Sequence, residues 1–391
     1  MKLCNLRLAG GSRPGPVDIR IENERISSID PSVTDSRFSP EGLDAVLSGA
    51  IVLPGLINSH DHLDFNLFPA MANRIYSNYR QWGQDIHENN RSQIGEVLRI
   101  PQSLRISWGL YKNLLNGVTT VVNHGDRLSI DPDAAGIGVL QTRSLHSVGF
   151  EKNWKWKINR PFGGKRAVVI HVGEGTDEMA AREIDRLLAW NLLRTPLIGI
   201  HGVAMNEEQA AGFKALVWCI DSNYRLLDRT AAVDRLKNRL PILFGTDSTL
   251  TSDWNIWEQI RLARRSGLLT DQELLASLTS KAAPVWGLAD TGSLVPGMYA
   301  DLVVARPGPS TGMDALFSIN PEDILLVLYH GKVRLFDAAL ATGPEGLYPG
   351  HAGFCPVTVG HSRKFVYGDL PGLIRRIREA HPGAEIPVEV D

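Results

Sequence analysis

The first fifty residues alternate between apolar and polar positions, whereas the middle of the chain does not. In residues 17–22 apolar and charged side chains alternate, and a second alternating stretch follows through Ile26 and Ile29 after a polar break at Asn23 and Glu24. A period of two is typical of half-buried strands. The pattern therefore predicts an antiparallel hairpin near the N-terminus.

From about residue 51 the pattern changes to short, almost uniformly apolar runs separated by helical segments. The runs read AIVLPGLINSH, GVTTVVNHG, GVLQTRSLHS, RAVVIHVGE, PLIGIHGVA, ALVWCIDSN and LPILFGTDS. Apolar strands that alternate with helices are typical of a parallel sheet buried on both faces. Strand patterns return after about residue 290, so β-rich ends enclose a βα region of about 235 residues, the size of a (β/α)₈ barrel.

The helical segments are uneven along this middle region. Residues 176–193 show helical spacing, and Thr270 stands three residues before Glu273, the order of a capping box. Residues 149–165, between the candidate fourth and fifth strands, are too polar, Gly-rich and short for a full helix with its connections. We expect the fourth helix to be reduced or missing. Residues 370–381 predict a short amphipathic surface helix.

We therefore expect an α/β protein with a distorted (β/α)₈ TIM barrel and a small β-sandwich domain built from both chain ends. The expected division is residues 1–54 for the N-terminal part of the sandwich, 55–289 for the barrel, and 290–391 for the C-terminal part with its terminal helix.

The composition and charge of the chain limit the classes of binding partner that it is expected to have. Of 391 residues, 43% are hydrophobic and 21% charged, and 41 Lys and Arg nearly balance 43 Asp and Glu. A near-neutral chain without charged blocks favours a small-molecule partner over nucleic acid. Cys4, Cys219 and Cys355 are too far apart for a disulfide framework or a thiolate metal site. With no signal peptide or membrane span in the sequence, a cytoplasmic protein is expected.

The candidate chemistry begins at GLINSHDHLDF. His60 and His62 are two residues apart, so on a strand both side chains face the same side while Asp61 turns away. This pair alone is a weak signal. Later apolar runs, however, end in His171, His201 and Asp247, and catalytic groups of βα barrels lie at the carboxyl ends of the strands. Together the five positions favour a shared site over separate buried polar residues.

An ordered set of motifs carries a family resemblance over residues 51 to about 304. The motifs are VLPGLINSHDHL, GVTTVVNH, HVGE, IHG, SNYRLL, GTDS and GSLVPGMYADLVV. The chain resembles the amidohydrolase superfamily, in particular the branch of cytosine, guanine and adenosine-type deaminases and triazine hydrolases. The resemblance implies that one divalent metal, Zn²⁺ or Fe²⁺, is bound by four residues: His60, His62, His171 and Asp247.

The resemblance also implies roles beside the metal. Asp247 would take the proton of the attacking water, Glu174 would carry a proton to the ring nitrogen or leaving group, and His201 would orient or polarise the electrophile. Two-metal members bridge their ions with a modified lysine on the fourth strand. The run VLQTRSLHSVG contains none, and the nearest is Lys152 in the following loop. One metal is therefore favoured.

Some positions depart from the family pattern or remain open. Trp218 and Ile220 flank Cys219 where a histidine and a proline are usual, although Ser222 is kept. His124 is interpreted as a core or supporting residue. The candidate substrate contacts are Trp82, Trp154, Trp156, Arg160 and Asn223; the alternative for Trp154 and Trp156 is that they fill the gap left by the missing helix.

The expected function is hydrolysis of a C–N bond in a small cyclic or heteroaromatic substrate, with deamination as the leading hypothesis. One alternative is hydrolysis of a cyclic amide, or displacement of an amine or halide. Another is a catalytically silent, metal-stabilised binding protein. By resemblance a homo-oligomer is expected.

Overall fold

The structure is a computed structural model. It describes residues 1–10, 15–32, 44–47, 49–129, 136–160, 167–341 and 353–390. Within these ranges, none of the helices combines the length and the apolar character needed to cross a membrane.

The chain forms strands at both ends and alternating strands and helices between them. The strands are β1 (Lys2–Leu8), β2 (Val17–Glu22), β3 (Arg25–Pro31), β4 (Asp44–Val46), β5 (Ile51–Pro54), β6 (Leu56–Asp61), β7 (Val118–Asn123), β8 (Gly138–Gln141), β9 (Arg143–Ser147), β10 (Val168–Val172), β11 (Leu197–His201), β12 (Ala215–Trp218), β13 (Ile242–Phe244), β14 (Leu302–Ala305), β15 (Ile324–Tyr329), β16 (Lys332–Asp337), β17 (Phe354–Val359) and β18 (Ser362–Tyr367). The α-helices are α1 (Tyr79–Asn89), α2 (Arg91–Leu98), α3 (Gln102–Leu115), α4 (Trp154–Ile158), α5 (Glu178–Trp190), α6 (Glu207–Ala210), α7 (Ile220–Leu227), α8 (Val233–Leu236), α9 (Ile256–Ser266), α10 (Asp271–Ser277), α11 (Ala282–Trp286), α12 (Gly312–Phe317) and α13 (Leu370–Ala380). Short 3₁₀ turns span Leu63–Phe65, Pro321–Asp323 and Ala338–Leu340.

Strands from both chain ends join one sheet. Its order is β17-β18-β16-β15-β14-β5-β1-β2-β3, with β4 paired to β1, which makes ten strands. The predicted hairpin is confirmed, because β2 and β3 pair antiparallel. The strands that lead into and out of the middle region, β5 and β14, also pair with each other. The exact boundaries of the three predicted segments stay a prediction.

The described residues of the middle region form eight parallel strands, and the predicted fold class is confirmed. They form a sheet of order β13-β12-β11-β10-β9 and a sheet of order β6-β7-β8. The seam between β13 and β6 is bridged where Thr246 and Asp247 each donate a backbone N–H to the carbonyl of His60, at 3.1 Å. The run GVLQTRSLHS divides after Gln141 into β8 and β9, which belong to different sheets, so the barrel is distorted there.

The helices agree with the sequence pattern except at the C-terminus. Helices α5 and α10 form as predicted, and α10 has the complete Thr270–Glu273 capping box. The reduced fourth helix is confirmed as α4, which has only five residues. Helix α13 is docked more firmly than a surface helix, because Leu370, Ile374 and Ile377 are fully buried.

Helix α3 supports the turn that follows the first barrel strand. Gly109 of α3 lies against this turn, and a Cβ at this position would come within 2.2 Å of the carbonyl oxygen of Leu63. No rotamer relieves such a backbone clash, so the contact requires glycine. The position of His62, immediately before Leu63, thus depends on a close helix-to-turn approach.

We predict that Gly109→Ala destabilises the protein by about 2 kcal/mol or more, because the backbones must separate. Gly95→Ala is the matched control, since Gly95 is a helical residue of α2 around which a Cβ would meet no atom within 4 Å. The control should raise stability by about 0.5–1 kcal/mol. Urea unfolding measures both; equal effects would contradict the close approach.

Candidate metal centre and active site

Five side chains from four different parts of the barrel converge at the carboxyl ends of its strands. His60 and His62 lie at the end of β6, His171 in β10, His201 at the end of β11, and Asp247 shortly after β13. The His60 and His171 Nε2 atoms are 3.4 Å apart. Asp247 Oδ1 lies 3.7 Å from His60 Nε2 and 3.9 Å from His62 Nε2. The structure therefore brings together the metal-binding set that the resemblance implied.

The imidazoles of His60 and His171 are neutral, which is the protonation state that binds a metal cation. Burial, reinforced by the neighbouring histidines, holds the pKa of His60 and of His171 well below the usual value, so both are neutral. His171 donates its Nδ1–H to the carbonyl of His146 at 2.7 Å, which leaves the Nε2 lone pair facing His60. His60 Nδ1 has no hydrogen-bond partner among the described residues. A neutral imidazole whose other nitrogen is held by a hydrogen bond, as in His171, is a typical metal ligand, and the donor types of the whole set fit a divalent ion.

Asp247 is held as a carboxylate. Burial by itself raises its pKa, but His62 and His201, with hydrogen bonds from Ser248 and Ser222, outweigh this effect and the pKa is lowered. Ser222 Oγ donates to Asp247 Oδ2 at 2.9 Å and Thr251 Oγ1 donates at 3.1 Å. These hydroxyls orient the carboxylate and leave Oδ1 toward the imidazoles.

Glu174 is the second carboxyl of the site and behaves differently. Burial raises its pKa to about 7, with Asp247 adding to the rise and His201 opposing it. Its Oε2 lies 3.7 Å from His201 Nε2, which is also 3.9 Å from Asp247 Oδ2. His201 Nδ1 donates to Asn223 Oδ1 at 2.9 Å, so the ring is oriented from behind. Two carboxyls with separated pKa values are the pattern of an acid and base pair.

The site opens into a cavity of about 690 Å³ whose far wall is mainly apolar. Its apolar and aromatic lining consists of Phe65, Phe68, Tyr79, Trp82, Ile86, Ile94, Leu98, Leu250 and Phe150. Arg80 also reaches this cavity, but its guanidinium is already paired with Glu183 at 2.9 Å. The cavity thus offers an apolar compartment next to a polar end that contains the carboxyls of Glu174 and Asp247.

Of the five candidate substrate contacts, the structure places only Trp82 in the described lining of this cavity. Trp154 is buried in the hydrophobic core, which corresponds to the gap-filling alternative. Trp156 is 61% exposed, with the Arg160 guanidinium 5.3 Å from its ring centre. Asn223 is buried and bonds His201 instead of facing the cavity. The sequence could not distinguish the positions of Trp154, Trp156 and Arg160, because the irregular stretch that contains them has no periodicity.

A buried polar network beneath the site was not predicted. Asp61 Oδ2 is 3.1 Å from Lys112 Nζ and accepts a hydrogen bond from Asn113 Nδ2 at 2.7 Å, while Asn66 Nδ2 donates to Asp61 Oδ1 at 2.8 Å. Lys112 also donates to Asn66 Oδ1 at 2.7 Å and lies 3.5 Å from the carbonyl of Asp247. The network therefore ties the residue between the two histidines to the loop after β13. The sequence gives no sign that Lys112 of helix α3 is a buried partner of Asp61, because most lysines in helices are exposed to solvent.

Known proteins resemble this chain in both sequence and structure. The amidohydrolase family model matches residues 163–335. A 5-methylthioadenosine/S-adenosylhomocysteine deaminase of Caldicellulosiruptor saccharolyticus is 23% identical over 84% of this chain and 90% of the relative. An atrazine chlorohydrolase from Arthrobacter aurescens, complexed with zinc, has a TM-score of 0.69 at 16% identity, covering 97% of this chain and 100% of that one. An adenosine deaminase from Xanthomonas campestris with bound zinc has a TM-score of 0.65 at 16% identity, covering 97% of this chain and 98% of that one.

These matches confirm the resemblance to the amidohydrolase superfamily. They also confirm the predicted enzyme class, a hydrolase acting on carbon–nitrogen bonds other than peptide bonds. The two structural neighbours named here show the fold, and both are zinc complexes.

We predict that Lys112→Met lowers the free energy of unfolding by about 3–5 kcal/mol, because Asp61 is left as an uncompensated buried charge. Adding Asp61→Asn to Lys112→Met should recover part of the loss. Lys237→Met is the control, since the Lys237–Glu273 pair is partly exposed and should contribute about 1 kcal/mol or less. Denaturant unfolding of the four proteins tests this; equal losses in Lys112→Met and Lys237→Met would contradict the network's role.

Glu174 should make the metal-free protein less stable as pH rises. Its folded pKa of about 7 exceeds the usual value of 4.5, so the stabilisation is complete below pH 4.5 and is lost as pH rises through 7. The loss approaches about 3 kcal/mol at pH 8. Glu174→Gln should remove this dependence, whereas Glu178→Gln, at an exposed position of α5, should keep it. Identical stability profiles for Glu174→Gln and wild type from pH 5 to 8 would contradict the raised pKa.

Proposed function

We propose that this chain is a metal-dependent aminohydrolase that deaminates an amino-heterocycle carrying an apolar substituent. The observation that carries the proposal is the buried Glu174 carboxyl, whose pKa is about 7, beside His201 at the polar end of an apolar cavity. A group with a pKa near the working pH can both take and give a proton during one turnover. The deaminase relative supports the same reaction class.

The metal is proposed to be one Zn²⁺ ion held by His60, His62, His171 and Asp247. Three imidazoles and a carboxylate suit zinc or ferrous iron. The described strand β9 (Arg143–Ser147) carries no lysine that could bridge a second ion. Such an ion supplies, when bound, the acidity that makes water a competent nucleophile near pH 7.

The chain's own residues then move the protons. Asp247, a carboxylate, accepts a proton from the attacking water, whose oxygen bonds to the ring carbon that bears the amino group. Glu174 delivers a proton to the ring nitrogen and takes back the hydroxyl proton of the resulting intermediate, while Asp247 passes the water-derived proton to the amino nitrogen. The carbon–nitrogen bond breaks, and the nitrogen leaves as ammonia while the ring keeps the oxygen. His201, held at Nδ1 by Asn223, directs Nε2 to this reacting centre.

The cavity supports a flat and largely uncharged substrate. Phe65, Trp82 and Phe150 provide aromatic surface against which a heterocycle and its substituent can pack. The Arg80 guanidinium is neutralised by Glu183, so it provides no free cation for a phosphate group. An aminopurine or a similar ring with an uncharged substituent therefore fits better than a nucleotide.

The test is ammonia release by zinc-loaded protein from amino-purines, methylthio-substituted nucleosides, amino-pyrimidines, pterins and amino-triazines. Turnover of one class is expected, and Glu174→Gln should lower kcat by about 10²-fold or more with unchanged zinc content. Glu178→Gln, exposed on α5, is the matched control and should retain activity.

Three other results of this experiment would contradict parts of the proposal. Release of an alkylamine or halide instead of ammonia would contradict deamination and support displacement of another leaving group. Zinc loss in Glu174→Gln would make Glu174 a ligand and overturn its proton-transfer role. Bound zinc without turnover of any ring, including cyclic amides, would favour the silent binding protein.

A further inference from the structure

We propose that His124 is an additional protein ligand of the ion that His60 and His171 hold. His124 follows β7, and its backbone N–H donates to the carbonyl of Asp61 at 2.9 Å. This hydrogen bond continues the β6–β7 pairing and places His124 directly beside the residue between the two histidines of the first strand. The inference rests on the proposed metal site but not on the proposed substrate or reaction.

The ring of His124 completes a compact group of four imidazoles. Its centre lies 5.2 Å from that of His60, 5.3 Å from His62 and 4.3 Å from His171. One nitrogen each of His60, His124 and His171 lie within 4.8 Å of one another. The same limit holds for His60, His62 and Asp247, so His60 belongs to both sets. An ion that contacts His60 and His171 is therefore within reach of His124.

The hydrogen bonding of His124 supplies the independent argument. The residue is buried, and neither of its ring nitrogens has a hydrogen-bond partner among the described residues. A neutral imidazole has one donor and one acceptor, and each costs free energy when it is buried unpaired. Bonding to a cation would satisfy the acceptor nitrogen and offset that cost.

Two neighbouring histidines outside the group differ from His124, because their rings have hydrogen-bond partners. His146 lines the same cavity, and its Nδ1 pairs with Ser147 Oγ at 3.3 Å. His201 is paired with Asn223. Each of these two rings has a hydrogen-bond partner without an ion, whereas the ring of His124 has none in the part of the chain that the structure describes. A fourth imidazole also favours a borderline ion such as Zn²⁺ over Mg²⁺ or Mn²⁺.

The experiment is X-ray absorption at the zinc edge on the zinc-loaded full chain, with zinc affinity from chelator competition. Wild type should show four imidazoles around zinc, and His124→Leu and His124→Asn should each show three with at least about tenfold weaker affinity. His146→Leu is the matched control and should keep four. His124→Leu removes both unpaired nitrogens, so without a ligand role it should bind zinc as wild type does.

Three imidazoles in wild type would overturn the proposal, even if the variants bind zinc more weakly. The wild-type spectrum remains decisive if both variants fail to fold. Absence of zinc binding by wild type would overturn the proposal together with the proposed metal site. Absence of ammonia release with four imidazoles bound would overturn only the deaminase function, so the two failures are distinguishable.

Discussion

The site depends on the convergence of three imidazoles and one carboxylate at the carboxyl ends of the barrel strands. The His60 and His171 Nε2 atoms are 3.4 Å apart, and the Nδ1 hydrogen bond of His171 makes its Nε2 an acceptor. The Asp247 carboxylate adds negative charge at 3.7 Å from His60. A divalent ion held among these residues would stabilise the arrangement, so the same contacts would serve both folding and the proposed reaction.

The surrounding fold holds the donors at these distances from three directions. Asp61 and Lys112 connect β6 with the loop after β13, and the hydrogen bonds to the carbonyl of His60 join β13 to β6. Gly109 allows α3 to approach the turn after His62. A buried ion pair contributes little net stability but penalises any rearrangement that separates its charges. The Asp61–Lys112 pair therefore fixes the positions of the strand-end side chains more than it adds to the free energy of unfolding.

The sequence predicted the strands and the strand-end residues because uniformly apolar runs are unambiguous and their last residues must face the barrel mouth. The resemblance implied the roles that are proposed for Glu174 and His201. It could not predict Lys112, because helical periodicity does not reveal a buried charge. The sequence also could not place Trp154 and Trp156, because they lie in a stretch without periodicity. It did not show that the chain divides after Gln141 into β8 and β9. The role proposed for His124 rests on the lack of a hydrogen-bond partner among the described residues, which only the three-dimensional structure reveals.

Whether one ion lies among the strand-end residues is tested most directly by anomalous diffraction at the zinc edge from crystals of the zinc-loaded protein. We expect one peak, within about 2.0–2.2 Å of a ligand atom of each of His60, His62, His171 and Asp247. Two peaks, or a single peak away from these residues, would contradict the site described above.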